Sequence, residues 1–278
     1  MSVIDCHQHF WTFGKRVHKF PPAVGTRLDR DFTPAILRPQ LSKAGIDGTI
    51  LVQVLNELGE TYEFLDMQRE IDFVVGVVGW LPLTDPAACA RELESMKQRG
   101  KLVGIRPLIA YESDPDWLLQ PSVRESLGLL AKAGLVFEAI PVNYRQFETV
   151  LRVTRATPEL KVVLNHLGNP PVPENGCEPW ASYSARAAEL PNMAIKLSAG
   201  LALVVKWKWS TKEIRRYANH VLDLFGPDRV MAGSNWPAVE LGGTYAEVWQ
   251  GLTELIAHLT PTERAAVLGR SAQHIYGL

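Results

Sequence analysis

Two histidines set two residues apart, a third before a glycine, two basic residues closing apolar runs and an asparagine in a turn of small residues are the groups equipped for chemistry. The pair stands in Asp5-Cys6-His7-Gln8-His9, directly after Val3-Ile4. If this run is a strand, alternation sends His7 and His9 to one side and Cys6 and Gln8 to the other, so two imidazoles converge. His166 follows Val163-Leu164-Asn165, and Asn235 follows Met231-Ala232-Gly233-Ser234, where small residues admit close backbone approach. Arg106 ends one apolar run and Lys196 lies late in another. A guanidinium there is costly to bury unless it meets an anion or polarises an oxygen, so a carbonyl or carboxylate partner is expected. The competing reading is an internal salt bridge from Arg106 to Glu138. Gln53 and Trp80, at the ends of two further runs, offer a hydrogen bond and a platform for a ring. Each candidate also has a plain reading: a satisfied polar pair for His7 and His9, a core histidine for His166, a turn residue bonding its own backbone for Asn235.

These groups need a scaffold that brings run ends together. The β-branched runs are Val3–Cys6, Thr49–Val54, Phe73–Trp80, Leu102–Arg106, Val136–Val142, Lys161–Asn165, Met193–Leu197 and Arg229–Ala232. Between them apolar residues recur at three and four, as in Cys89, Leu93 and Met96, or Tyr217, Val221, Leu222 and Phe225. Pro34, Pro86, Pro121 and Pro261 mark helix starts, with Thr33, Asp85 and Thr260 in cap positions before three of them. Eight strands about 30 residues apart, each followed by a helix, require parallel pairing and predict an α/β fold: a single (β/α)8 TIM-like barrel over residues 1–278 with a C-terminal helix. A doubly wound open sheet is the alternative, but no GxGxxG turn follows the first strand. Three long loops, 10–33, 167–179 and 198–210, belong to the face where such barrels carry their reactive groups. His18, His220, His258 and His274 fall in a loop or on helices away from that mouth and read as surface or packing residues. Trp207 and Trp209, alternating with Lys206 and Lys208, read as a lid over a small substrate.

The charge balance narrows the partner. Twenty-nine Lys+Arg against thirty Asp+Glu give a net charge of −1, so no basic field exists to hold nucleic acid or an anionic membrane. No run approaches the roughly 18 apolar residues of a membrane span, and no leader is evident, which makes a cytoplasmic protein the expectation. Cys6, Cys89 and Cys177 suit neither a disulfide framework nor a metal knuckle and are expected as free thiols. The expected partner is a small molecule, with assembly into a homo-oligomer left open.

In order, His7-x-His9-x-Trp11, Asn-His-Leu-Gly-Asn-Pro around His166, Lys-Leu-Ser-Ala-Gly from Lys196 and Gly-Ser-Asn-Trp-Pro around Asn235 resemble the amidohydrolase superfamily, specifically its lactonase-type branch. The likeness covers nearly the whole chain. It implies hydrolysis of a sugar-acid lactone such as L-fucono- or L-rhamnono-lactone, with His7, His9 and His166 lining the site and Arg106 polarising the carbonyl. The residue at 235 would activate water, and Gln53, Trp80, Glu138, Lys196 and Trp236 would contact the substrate. It implies no required cofactor; His7, His9 and His166 would be the ligands of a weak or adventitious divalent metal such as zinc. The chain departs from the pattern at one place: Asn235 stands where the family has Asp. A neutral amide takes no proton, so this chain is expected to be an impaired form, with deliberate replacement favoured over natural variation. The alternatives are a zinc-dependent decarboxylase or hydrolase of the same superfamily, and a catalytically silent binding protein.

Overall fold

The computed structural model describes residues 2–18 and 20–278. Eight parallel strands pair in chain order: β1 (Ile4–Gln8), β2 (Gly48–Val52), β3 (Val74–Gly79), β4 (Leu102–Ile105), β5 (Val136–Ala139), β6 (Val162–Leu164), β7 (Met193–Leu197) and β8 (Val230–Ala232). β8 returns to β1 through a bridge between Gln8 and Trp236. There His9 N–H donates to Trp236 O, and Asn235 N–H donates to His7 O, each at 2.8 Å. The expected barrel is observed, and the bonds that join its first and last strands run between two of the sequence motifs singled out for chemistry.

The helices surround it: α1 (Pro34–Ala44), α2 (Leu58–Glu70), α3 (Pro86–Lys97), α4 (Pro121–Lys132), α5 (Tyr144–Ala156), α6 (Trp180–Ala188), a short α7 (Leu201–Val204), α8 (Thr211–Phe225), α9 (Tyr245–Leu255), α10 (Pro261–Ala265) and the C-terminal α11 (Ser271–Tyr276). The four prolines open helices as expected. Asp85 accepts from Ala88 N–H, and Thr260 and Glu263 satisfy one another's backbone donors. Thr33 makes no side-chain cap bond. No helix among the described residues is long and apolar enough to cross a membrane.

The barrel interior is layered. Ile4, Ile50, Val78, Val103, Val136 and Val163 form a dry lower layer that Ala272, Ile275 and Tyr276 of α11 close from below. Cys6 belongs to this layer, which corrects the expectation that it faces away. The register shifts between Asp5 and Gln8, so three steps along β1 span two along β2. Such a bulge breaks alternation: Cys6 packs with the inner layer while His7 still reaches the mouth. Gln8 does face outward, donating to Thr49 Oγ1 on the outer side of β2.

β5 stops at Ala139, three residues short of the predicted run, because Pro141 has no N–H to give the ladder. The three long loops leave the strands at the expected face. A fourth, 106–120 after β4, carries two short 3-10 turns and escaped the sequence reading although its length was countable.

Candidate active site

At the mouth, His7 and His9 from β1 meet Arg106 from the end of β4, His166 beyond β6 and Asn235 beyond β8. His7 Nε2 lies 3.2 Å from His9 Nε2 and 3.2 Å from Arg106 Nη1, and His9 Nε2 lies 3.2 Å from Asn235 Oδ1. The rings of His7 and His166 are 4.6 Å apart. Residues from both ends and the middle of the sequence thus converge as the strand-end rule requires.

Local backbone fixes each side chain. His166 and Asn235 adopt left-handed conformations, φ 55° and 58°. Asn and His are among the non-glycine residues that tolerate that region best, and residues held there concentrate at functional sites. Ser198 Oγ lies 2.9 Å from His166 Nδ1, and a Cβ on Gly200 would stand 3.0 Å from His166 Cδ2, so any other residue there would crowd the ring. Gly233 likewise lets the β8 turn pass His7 Cβ, which a Cβ there would approach to 3.0 Å. Asp5 faces outward and clamps the seam, accepting from the N–H groups of His7 and Ser234, from Ser234 Oγ at 2.6 Å and from the Tyr245 hydroxyl at 3.0 Å.

The hydrogen bonds also assign protons. His9 Nδ1–H donates to Val52 O at 2.7 Å, which leaves a lone pair on Nε2. Asn235 Nδ2 donates to Ala199 O at 2.8 Å, which turns Oδ1 toward His9 Nε2. His7 carries its proton on Nε2, because its Nδ1 accepts from Lys196, and points it at the His9 lone pair from 3.2 Å, so Asn235 Oδ1 is the acceptor left for a water. Beneath them Lys196 Nζ donates to both oxygens of Glu138, at 2.7 and 2.8 Å, and to His7 Nδ1 at 3.1 Å. Tyr276 of α11 donates to the same carboxylate.

Charge follows from this wiring. Burial, then the Lys196 ammonium, holds His7 far below the usual imidazole range. Burial and Arg106 lower His9 to about 3 and His166 well below its ordinary value. All three are neutral at neutral pH, so no imidazolium is present to share an oxyanion with Arg106. Burial lowers Arg106 to about 10, which still leaves it charged. Its Nη2 donates to the backbone and side-chain oxygens of Gln53, and its buried Nε has no partner. The predicted alternative of an Arg106–Glu138 bridge is not found, since Glu138 is taken by Lys196 and Tyr276.

Above these groups lies a cavity of about 370 Å³. His9, Arg106, His166 and Asn235 form its floor, and Arg106 is the only cation among the described residues lining it. Its walls come from the β1 loop (Trp11, Phe20, Pro21), from the loop after β4 (Leu108, Ala110, Tyr111), from Ile140 and Val142 after β5, and from Leu201 and Ala202 in α7. The sequence reading missed the β4 and β5 contributions.

Five candidates for substrate contact do not line this cavity. Gln53 is buried and spent on Arg106, whose backbone oxygen it also engages. Glu138 and Lys196 are wholly buried below the floor as an ion pair. Trp80 takes a bond from its N–H to Thr61 and lies outside the lining. Trp236 is buried against Phe10 and Phe32 with its indole N–H on Glu240. Trp207 and Trp209 form no lid: Trp207 is buried with its indole N–H on Glu213, and Trp209 packs against Gly251. His18 is closer to the mouth than expected, stacked on Phe20 and tilted on Trp11 behind the cavity wall. His220 packs on Trp180.

The donors fit a resident divalent cation poorly. Both nitrogens of His7 face cations, Lys196 on one side and Arg106 on the other. No carboxylate lines the cavity, and no group of three or more His, Cys, Asp or Glu among the described residues is arranged to hold a metal. An ion on His9 would stand beside the Arg106 guanidinium, with no carboxylate among the described lining residues to offset the repulsion.

A family model described as Amidohydrolase matches residues 4–278. The chain is 32% identical over 277 residues to L-fucono-1,5-lactonase of Burkholderia ambifaria, covering 98% of this chain and 94% of that one. It is 29% identical to L-fucono-1,5-lactonase of Burkholderia multivorans, covering 99% and 96%. A crystal structure of a Burkholderia multivorans amidohydrolase with bound HEPES superimposes over the whole of both chains with a TM-score of 0.92 at 26% identity, and one with bound Zn gives 0.89 at 28%.

Proposed function

We propose that this chain, which belongs to the amidohydrolase family and within it to the lactonase-type branch, opens the ring of a sugar-acid lactone, the class for which its relatives are named. The observation that carries this reading is a buried guanidinium, bonded to no carboxylate, beside the hydrogen-bond acceptor Asn235 Oδ1 on the floor of a substrate-sized cavity. Arg106 binds the lactone carbonyl and stabilises the oxyanion that forms there. A water donating to Asn235 Oδ1 presents its lone pair to the carbonyl carbon. The new bond is water oxygen to acyl carbon, and the bond that breaks joins that carbon to the ring oxygen; the proton that the attacking water gives up is relayed by solvent in the cavity to the ring oxygen, which leaves as the alcohol. No step passes through a metal.

Asn235 orients this water without accepting its proton, so the chain works without the general base that is worth roughly 10²–10⁴ in rate. Asn235 also favours a second reading, a protein that binds a lactone and turns it over negligibly. Proton release from L-fucono-, L-rhamnono- and related aldonolactones, followed with a pH indicator, tests both. The expected result is slow hydrolysis by this chain and at least about a hundredfold more by Asn235→Asp. Equal rates in the two forms would remove position 235 from the chemistry, and no hydrolysis by either would favour the binding protein.

A further inference from the structure

The walls of the cavity do not match a ring decorated with hydroxyls. Each buried hydroxyl left without a partner costs free energy. Yet Arg106, His9, Asn235 and His166 are engaged with the ester, and the only other polar side chains among the described lining residues are Asn169, whose amide nitrogen donates to Pro141 O at 2.8 Å, and Tyr111. Opposite the ester stand Trp11, Phe20, Val54, Leu108, Ile140 and Val142. The apolar surface continues outward: among the described residues, Phe13 and Val17 in the β1 loop, Tyr111 after β4, and Val142 and Tyr144 after β5 are five of the six exposed large hydrophobic residues. They come from the same chain segments that wall the cavity, so apolar side chains are found both on its walls and on the loops around it.

We infer that the preferred lactone carries an alkyl or aryl substituent longer than a methyl group, directed away from the ester and packed between the β1, β4 and β5 loops. This rests on the lactonase reading and, within it, places alkyl- or aryl-substituted lactones ahead of the hydroxylated sugar-acid lactones for which the relatives are named. The ester end meets the polar floor and the hydrocarbon end meets Phe20, Leu108 and Val142. Each methylene buried there should raise kcat/KM about fourfold, until the chain fills the cavity.

The test uses the intact protein and its Asn235→Asp variant with γ-butyro-, γ-hexano-, γ-octano- and γ-decanolactone beside L-fucono- and L-rhamnono-lactone. The same alkyl series of 2-substituted cyclopentanones, which cannot be hydrolysed, is titrated by tryptophan fluorescence. Expected are kcat/KM values rising by roughly fifteenfold from hexano- to octanolactone, ketone affinity rising in parallel, and both slopes flattening in Val142→Asp. Flat slopes with faster turnover of the aldonolactones would overturn this inference and leave the lactonase reading intact. Ketone affinity that climbs with chain length while no lactone is hydrolysed would sink the lactonase reading and keep the apolar site. Neither turnover nor length-dependent binding would overturn both.

Discussion

Replacing Arg106 with Met separates a catalytic guanidinium from a structural one, because its surroundings set the stability cost and the catalytic cost independently. The substitution removes the bonds from Nη2 to Gln53 and the approach to His7. Bonds to a charged group are worth about 1.5–3 kcal/mol each, but burial opposes the charge. The drop in pKa from 12.5 to about 10 is a penalty of roughly 3 kcal/mol that Met does not carry. The two terms nearly offset, and no carboxylate is abandoned, since Glu138 keeps Lys196 and Tyr276. Thermal and denaturant unfolding should therefore change by no more than about 2 kcal/mol. Catalysis has no such offset: losing an oxyanion donor lowers kcat by about 10²–10³, or roughly 2.7–4 kcal/mol of transition-state stabilisation. Both are measured on the Asn235→Asp background, where turnover is fast enough to follow. A protein destabilised by 3–5 kcal/mol whose folded fraction turns over normally would refute the reasoning and make Arg106 a structural residue.

The ion pair beneath the floor should behave in the opposite way. Lys196→Met leaves Glu138 buried with only Tyr276, costing about 3–5 kcal/mol in chemical denaturation, and adding Glu138→Leu should restore most of it; a mild single-mutant effect would mean the pair is not held as described. Dialysis against a chelator should leave the Asn235→Asp variant most of its activity, whereas a loss that added zinc reverses would show that the cavity holds a working cation after all. The neutral histidines make acid costly. Their folded pKa values lie below the unfolded 6.5, His9 at about 3, so the unfolded chain binds more protons and the stability they contribute, complete above pH 6.5, is lost as pH falls toward 3. Below pH 6 each should cost about 1.4 kcal/mol per pH unit, and urea unfolding at pH 7 and pH 5.5 should show a steeper loss in this chain than in His9→Gln.

The sequence announced the barrel because its strands are buried on both faces and so read as unbroken β-branched runs, punctuated by Pro34, Pro86, Pro121 and Pro261. It announced His7, His9, Arg106, His166 and Asn235 because chemistry in this architecture sits at strand ends. It misplaced Cys6 because a register shift depends on the neighbouring strand and leaves no mark in the alternation of one. Lys196 and Glu138 looked like mouth residues since each lies near a strand end. What takes them out of reach is Tyr276 of α11, arriving from below, a contact between distant segments that no local pattern encodes. Leu108, Ile140 and Val142 carry no chemical signature at all, so only their positions reveal what they enclose.

The seam between β1 and β8 gives the site an order of assembly in time. His9 and Asn235 are 226 residues apart. At 5–20 residues per second, β1 waits about 10–45 s on the ribosome for its partner. During that interval its N–H and C=O groups on one side have no native mate, the condition that invites pairing with another chain. Asp5 is equally incomplete, because Ser234 and Tyr245 emerge later still. A nascent or truncated chain ending before residue 230 carries both imidazoles of β1 and the guanidinium of β4, yet lacks the amide, the turn and the backbone bonds that bring them into register. Loss of that last sixth of the chain silences the protein however well the remainder folds.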